Sequence, residues 1–167
     1  IVRETPPGTP RNQRPEPTPY ADYPNPDAKP VEFFLSKGGS KVGSLGVKPS
    51  GKQGVEGLVD DVSLSAPSLA KAEESPNRLL YATSELKSAV HISGTVRVTL
   101  RLASSAPAAN LSVYLVQLPW TDGPIGNANL ITRGWADPQN WQALKGGDFH
   151  SMEPGRPLEP GKFVTLT

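Results

Sequence analysis

Hydrophobic and polar positions alternate most regularly between Thr95 and Ala103. Aliphatic residues occupy every second position of this segment: Val96, Val98, Leu100 and Leu102. Because successive side chains of a β-strand point to opposite faces, the pattern predicts a half-buried strand. Arg97 and Arg101 occupy the alternate positions, and we expect them to lie in solvent.

A second apolar run, Leu111 to Leu118, is denser and has aliphatic or aromatic residues on both faces. Such a run is typical of a central strand that is covered on both sides. The connection Ser104 to Asn110 is small and polar and contains Pro107, so it predicts a loop that joins two antiparallel neighbours.

Shorter β-rich segments flank this pair of strands. A turn at Gly38 to Ser40 predicts that the segments on either side of it, Val31 to Leu35 and Lys41 to Val47, form a hairpin. We expect Gly134 to Pro138 to be a loop with an aromatic anchor, and Gln139 to Pro160 to be mostly irregular. The remaining strand predictions are Val31 to Leu35, Lys41 to Val47, Leu79 to Leu86, Ala89 to Ile92, Asn129 to Arg133 and Gly161 to Leu166.

Together these segments predict an all-β fold, a sandwich of two facing sheets. Its core is expected to contain Val96, Val98, Leu100, Leu102, Leu111, Val113 and Leu115. The 19 prolines and 16 glycines of the 167-residue chain support a loop-rich all-β protein. Residues 1–30 are rich in proline and predict an extended, irregular arm, followed by the β domain at residues 31–167.

The net charge of +1 argues against nucleic acid or a membrane surface as a partner recognised by bulk electrostatics. The absence of cysteine excludes disulfides and a cysteine nucleophile, and leaves the compartment open, secreted or cytoplasmic, with secreted preferred. The chain begins with Ile1, and its last predicted strand starts just before its end. We therefore expect a piece of a longer protein, incomplete at its C-terminus, with an unpaired sheet edge near Phe163 to Leu166.

Candidate catalytic chemistry is sparse. Val42 to Gly46 approaches the nucleophile-elbow pattern around Ser44, but valine stands where the first glycine is required, which favours a coincidence within a hairpin. His91 and His150 are the only histidines, too few for a typical zinc site. The sequence predicts no cofactor, no metal and no catalytic residue, and the Asp60-Asp61 pair is interpreted as a turn or cap.

Binding candidates cluster around Arg133, Trp135 and Asp137. Arg133 can stack on Trp135 as a cation–π pair or bind a carboxylate, and structural anchoring is the preferred interpretation. An alternative is an aromatic platform for carbohydrate or protein, which would require at least two exposed and coplanar indoles among Trp120, Trp135 and Trp141.

Several segments, taken in order, resemble the C-terminal domain of the X-Pro dipeptidyl-peptidase and cocaine-esterase-like serine hydrolases. The resemblance is strongest at Thr132 to Pro138, Thr-Arg-Gly-Trp-Ala-Asp-Pro. It departs at Asn110, where the family more often has aspartate, and a later strand of the family containing Gly-His-Arg is not present. The other matching segments are Ala21 to Pro24, Val59 to Asp61, Arg78 to Leu86, Val90 to Gly94, Asn110 to Leu118, Leu130 to Asn140 and Pro157 to Phe163.

The resemblance implies a jelly-roll β-sandwich that packs on an α/β-hydrolase domain of the same polypeptide. It further implies that this hydrolase domain carries a Ser-His-Asp triad and releases Xaa-Pro dipeptides from peptide N-termini. The first hypothesis is therefore a non-catalytic supporting domain whose partners are the hydrolase domain and, through it, a peptide substrate. The rivals are a stand-alone binding module that uses the three tryptophans and an independent hydrolase that uses Ser44 and His91.

Overall fold

The computed structural model describes residues 2–3, 17–51, 53–120, 129–150 and 152–167, with the backbone alone at residues 2–3 and 17–18. The chain divides into two compact units, residues 1–95 and residues 96–167. Strands in small sheets dominate both units, and the described helices are short, so the fold is all-β. Within the described ranges, no helix is long and apolar enough to cross a membrane.

The first unit contains strands β1 to β5 and helix α1. Strands β1 (Val2–Arg3) and β2 (Pro17–Thr18) pair antiparallel, so these four residues of the proline-rich arm are more regular than the sequence predicts. Strands β3 (Phe34–Leu35), β4 (Gly43–Gly46) and β5 (Tyr81–Ala82) form a sheet in that order. The β3–β4 pair is antiparallel and the β4–β5 pair is parallel.

The predicted hairpin at Gly38 to Ser40 is confirmed. Gly38 has a φ of +109°, a conformation that favours glycine, and its carbonyl accepts from Lys41 N at 3.0 Å. Ser36 N donates to Ser44 O at 2.9 Å beyond the turn. Tandem glycines between two apolar runs were therefore a sufficient local signal.

Helix α1 (Ala66–Lys71) begins after Ser65, whose side chain accepts from Ser68 N. Such a cap satisfies a backbone donor that the first helical turn leaves free. The sequence favours one short helical turn at Glu73 and Glu74, before Pro76, but the helix lies earlier and both glutamates follow it.

The four strand predictions in this unit are wrong or too long, and β3 and β4 are shorter than predicted. Only Tyr81–Ala82 of the segment Leu79 to Leu86 forms a strand, and residues 89–92 form none. His91 therefore does not lie on a strand. β-propensity describes how well a side chain suits a pleated surface, but a strand also requires a neighbour to accept its hydrogen bonds.

The described part of the second unit contains four strands, a 3₁₀ helix and helix α2. The strands are β6 (Leu100–Leu102), β7 (Leu111–Val116), β8 (Leu130–Ala136) and β9 (Val164–Leu166). Strand β6 pairs antiparallel with β9, and β7 pairs antiparallel with β8. The predicted strands at Asn129 and Gly161 are thus present as β8 and β9, with shifted bounds.

The alternation that predicts the first strand is confirmed where β6 forms. Leu100 and Leu102 are half-buried, whereas Arg97 and Arg101 are exposed. Val96 is exposed, and the strand covers only three of the nine predicted residues. Leu166 of β9 is 2% exposed and Leu158 is 5% exposed, and they are the buried aliphatic residues of the described structure.

The Ser104 to Asn110 connection is a loop, but its predicted role in joining paired neighbours is wrong. Strands β6 and β7 lie in different sheets, and the loop instead binds the segment that precedes β9. Pro107 O accepts from Leu158 N, and Ser104 O accepts from Gly161 N, both at 2.8 Å. The alternation cannot reveal this arrangement, because it specifies faces and not partners.

Strand β7 is also not the two-sided central strand that its composition predicts. Leu111, Val113 and Leu115 are half-buried, but Ser112 and Tyr114 on the other face are exposed. In the described structure, β8 is its only strand partner.

The interpretation of residues 134–160 needs two corrections. Strand β8 continues to Ala136, so Trp135 lies on a strand and not in a loop. A 3₁₀ helix (Pro138–Asn140) and α2 (Trp141–Lys145) follow it in the segment expected to be irregular. The start signal was visible, since Asp137 caps a helix that has proline in its first turn.

Candidate functional site

The outer surface of the β7–β8 pair carries the binding residues predicted from the sequence. Ser112 lies opposite Trp135, and Tyr114 lies opposite Arg133. Directly opposed residues of an antiparallel pair share a face of the sheet. We refer to these four residues as the β7–β8 face, and all four are exposed, Trp135 to 66%.

Arg133 and Trp135 interact as the sequence predicts. The Arg133 guanidinium carbon lies 4.8 Å from the centroid of the Trp135 ring. Arg133 and Trp135 are two positions apart on one strand, so their side chains point to the same face of the sheet. Their contact therefore depends only on local geometry. An exposed cation–π pair contributes about 0.5–1 kcal/mol. It presents a cation and an aromatic plane together to solvent.

Asp137 does not join this pair. Its Oδ1 accepts a hydrogen bond from Gln139 N at 2.9 Å, which caps the 3₁₀ helix. Among the described residues, the ion pairs are Lys41–Glu74 and Lys162–Glu159, and neither involves Asp137 or Arg133. The carboxylate therefore fixes the chain at the end of β8, and its proposed contact with a ligand has no support in this geometry.

The three tryptophans do not form the aromatic platform of the alternative hypothesis. Trp135 is exposed, whereas Trp120 and Trp141 are half-buried. A platform would need at least two exposed indoles. The exposure of the three tryptophans therefore does not support the binding-module hypothesis.

Ser44 does not stand in a nucleophile elbow. The motif requires a sharp turn from a strand into a helix. Ser44 instead lies within β4, and the next helix begins at Ala66, so the interpretation as a hairpin coincidence is confirmed.

The two histidines lie elsewhere in exposed positions. The His91 ring lies 5.6 Å from that of Tyr20, and His150 N donates to Asp148 Oδ1 at 3.2 Å. Within the described part of the chain, no three His, Cys, Asp or Glu side chains are grouped as metal ligands would be.

Sequence reasoning missed the most elaborate polar cluster, which surrounds Arg78 in the first unit. This side chain is only 8% exposed and donates hydrogen bonds to backbone carbonyls alone. Burial lowers the pKa of its guanidinium. The acceptors, at 2.6–3.0 Å, are the carbonyls of Gly39, Ser40, Lys41, Leu69 and Ala72. Arg78 thereby joins the hairpin turn to the end of α1.

Glu56 occupies the other side of the same turn. Its Oε1 accepts from Gly38 N at 2.7 Å and Gly39 N at 2.9 Å, and its Oε2 accepts from the Tyr81 hydroxyl at 2.8 Å. Burial acts to raise the pKa of Glu56, but these hydrogen bonds outweigh it and lower the pKa. The pKa of Tyr81 is raised to about 12. Burial is the largest cause, and the hydrogen bond to Glu56 and the negative charge of Glu56 act in the same direction.

Comparisons with known proteins agree on one relationship. The family model for the X-Pro dipeptidyl-peptidase C-terminal non-catalytic domain matches residues 2–167. A protein of Rhodopirellula baltica, named "Putative Xaa-Pro dipeptidyl-peptidase", is 45% identical over 99% of this chain and 25% of its own length. A protein of the same name from Bacillus anthracis is 30% identical over 87% of this chain and 22% of its own length. No solved structure matches significantly. The chain thus spans about a quarter of these relatives.

Proposed function

Because the chain belongs to the family of X-Pro dipeptidyl-peptidase C-terminal non-catalytic domains, we propose that it serves as the supporting β domain of a longer peptidase. The observation that carries this proposal is the family match over nearly the whole chain. The part of the relatives outside the match, about three quarters of their length, has room for a separate catalytic domain.

The parent protein is proposed to release Xaa-Pro dipeptides from peptide N-termini with a Ser-His-Asp triad in an α/β-hydrolase domain. This activity rests on the names of the relatives and on the family resemblance. The strand position of Ser44 is consistent with it, because a residue in a paired hairpin lacks the geometry of an activated nucleophile.

We propose a jelly-roll sandwich as the complete architecture, with residues 1–30 as an arm and residues 31–167 as the β domain. The antiparallel pairs β6–β9 and β7–β8 support this topology, since jelly rolls consist of antiparallel strands. The end of the arm has contacts that favour an ordered path: Asn25 N donates to Ser93 Oγ at 2.9 Å.

Arg133 and Trp135 are proposed to bind the hydrolase domain of the parent, with Asp137 holding the end of their strand. Arginine and tryptophan are enriched among the residues that dominate protein interfaces. Replacing both by alanine in the full-length protein should shorten the half-life of peptidase activity at elevated temperature. Thr132→Ala, at an exposed position on the opposite face of β8, is the matched control. Equal half-lives for all three proteins would exclude this role.

The activity proposal is tested by comparing the full-length polypeptide with the 167-residue chain on an Xaa-Pro chromogenic substrate. We expect turnover by the full-length protein and none by the chain alone. Ser44→Ala should leave the full-length activity unchanged. Turnover by the isolated chain that disappears in the Ser44→Ala variant would refute the proposal and restore the independent-hydrolase hypothesis.

A further inference from the structure

One segment of the first unit exposes an unusual number of aliphatic side chains. Val55 is 80% exposed and Val62 is 95% exposed. Three further aliphatic residues between them or just beyond are exposed as well: Leu58, Val59 and Leu64. We refer to residues 55–64 as the aliphatic segment. Single exposed aliphatic residues are ordinary, but their concentration in one short segment indicates an interaction site.

The backbone of the aliphatic segment is fixed at several points. Val59 N donates to Pro76 O, and Asn77 Nδ2 donates to Val59 O, both at 2.8 Å. Glu56 is held by the hairpin amides and Tyr81, as described above. These contacts anchor the middle of the segment to the turn region of the first unit.

A turn fixes the second half of the segment. Asp61 Oδ1 accepts from Ser63 N at 3.0 Å, and Asp61 O accepts from Leu64 N at 3.1 Å. Such a turn uses the aspartate side chain to imitate a backbone turn, which confirms the turn interpretation for this member of the Asp60-Asp61 pair. The backbone of the segment is thus held by its own unit and by its own turn, while its aliphatic side chains face solvent.

We propose that the aliphatic segment is a further surface, in addition to Arg133 and Trp135, through which this domain docks on the catalytic part of its parent polypeptide. The inference rests on the proposed function, and it names a contact that the family assignment does not specify. The chain accounts for only 25% of the length of its Rhodopirellula relative, so most of such a polypeptide lies outside the structure and is available to cover the segment. Contacts between domains of one chain bury roughly 600–1,500 Å².

The chemistry of the segment specifies its partner surface. Valine and leucine side chains call for an apolar depression on the catalytic part, which removes them from water at about 25 cal/mol per Å². Asp60 is exposed between Val59 and Asp61, so a basic group at the edge of that depression would complement it.

Thiol labelling can test the docking surface, because the 167-residue chain has no cysteine of its own. Val62→Cys places a thiol in the aliphatic segment, and Met152→Cys is a control of matched exposure, 95% against 96%. Both variants are prepared as the isolated chain and as the full-length polypeptide. Labelling is followed by mass spectrometry of the substituted peptide, so cysteines elsewhere in the full-length protein do not interfere.

In the isolated chain, both thiols should react at the rate of a free peptide thiol. In the full-length protein, Val62→Cys should react at least about tenfold more slowly, which corresponds to a covered state favoured by about 1.4 kcal/mol. Met152→Cys should react at an unchanged rate. Equal labelling of Val62→Cys in both contexts, or equal protection of the two positions in the full-length protein, would overturn the proposal.

Two further outcomes separate this inference from its alternatives. Protection of Val62→Cys in the isolated chain that grows with concentration would assign the segment to contacts between copies and overturn the docking proposal. Peptidase turnover is measured on the same full-length samples. Turnover without selective protection would refute the docking surface alone, whereas selective protection without turnover would refute the proposed activity and support the docking surface.

Discussion

Arg78 shows how one residue can organise a region that has little regular secondary structure. Its guanidinium donates to carbonyls at the end of α1 and to carbonyls of the hairpin turn, two of which also accept from Leu80 N and Ser75 N. Arginine suits this position because it carries several donors in a rigid, planar group. Its positive charge also complements the partial negative charge at the end of the helix.

Replacing Arg78 by methionine should strongly destabilise the first unit. The substitution keeps much of the side-chain volume but leaves the carbonyls of Lys41, Leu69 and Ala72 without this donor, and an unsatisfied buried acceptor costs about 1–3 kcal/mol. Urea unfolding would measure the loss. Lys48→Met, which removes an exposed cation from the same unit, is the control and should change stability by less than about 0.5 kcal/mol. Similar effects of both substitutions would show that Arg78 is not a structural centre.

The Tyr81–Glu56 contact should be visible in an alkaline titration. Because the folded pKa of Tyr81 is about 12, above its ordinary value of 10.0, its contribution to stability is complete below pH 10 and is lost between pH 10 and pH 12. Absorbance of the folded protein at an ultraviolet tyrosinate band should show a late step that Tyr81→Phe removes. Glu56→Gln should move that step to lower pH, because it removes the neighbouring negative charge. A late step that survives Tyr81→Phe would belong to another tyrosine.

At the scale of elements, the β3–β4 hairpin illustrates the difference between a local signal and its packing. The Gly38 turn forms from its own sequence, but Gly43 is required for a reason that lies far along the chain. A Cβ added at Gly43 would lie 2.5 Å from Tyr81 Cδ1 and 2.6 Å from Ser36 O. The parallel neighbour β5 packs its tyrosine where the glycine leaves space.

Gly43→Ala should therefore destabilise the β3–β4–β5 sheet by about 1–3 kcal/mol, the usual cost of overpacking. A backbone oxygen of the adjoining strand cannot move away as a flexible side chain could. Gly134→Ala is the matched control on β8, because nothing lies within 4 Å of its added Cβ. We expect no loss of thermal stability in the control. A neutral Gly43→Ala variant would show that β5 does not pack on β4 in this way.

At the scale of the whole molecule, the chain consists of two units that each have their own internal contacts. The buried apolar residues Leu158 and Leu166 both belong to the second unit. The polar network of Arg78, Glu56 and Tyr81 belongs to the first. Among the described residues, buried aliphatic side chains thus occur in the second unit, whereas buried polar groups occur in both, since Asn129 of the second unit donates to Gln117 O and Pro119 O.

Leu166→Ala should destabilise the second unit selectively. Truncating a buried leucine removes its apolar burial and leaves a cavity, at a cost of about 2–5 kcal/mol. Hydrogen exchange resolved by peptide should accelerate in residues 96–167 much more than in residues 17–95. Phe163→Ala, a truncation at a more exposed site beside β9, should have a smaller effect. Equal acceleration throughout the chain would indicate that the two units unfold as one.

The sequence by itself determined the all-β class, the first hairpin, the faces of β6, the Arg133–Trp135 contact and the family resemblance. The structural features among these depend on residues close together in the chain, whose relative orientation is set by strand and turn geometry. The family resemblance depends on a recognisable sequence segment, Thr132 to Pro138. Only the tertiary structure decided that β6 pairs with β9, and that Arg78 binds the carbonyls and Glu56 the amides of one turn. Such contacts join residues up to 66 positions apart, as Leu100 and Leu166 are, and hydrophobic periodicity specifies which face is buried without specifying which partner covers it.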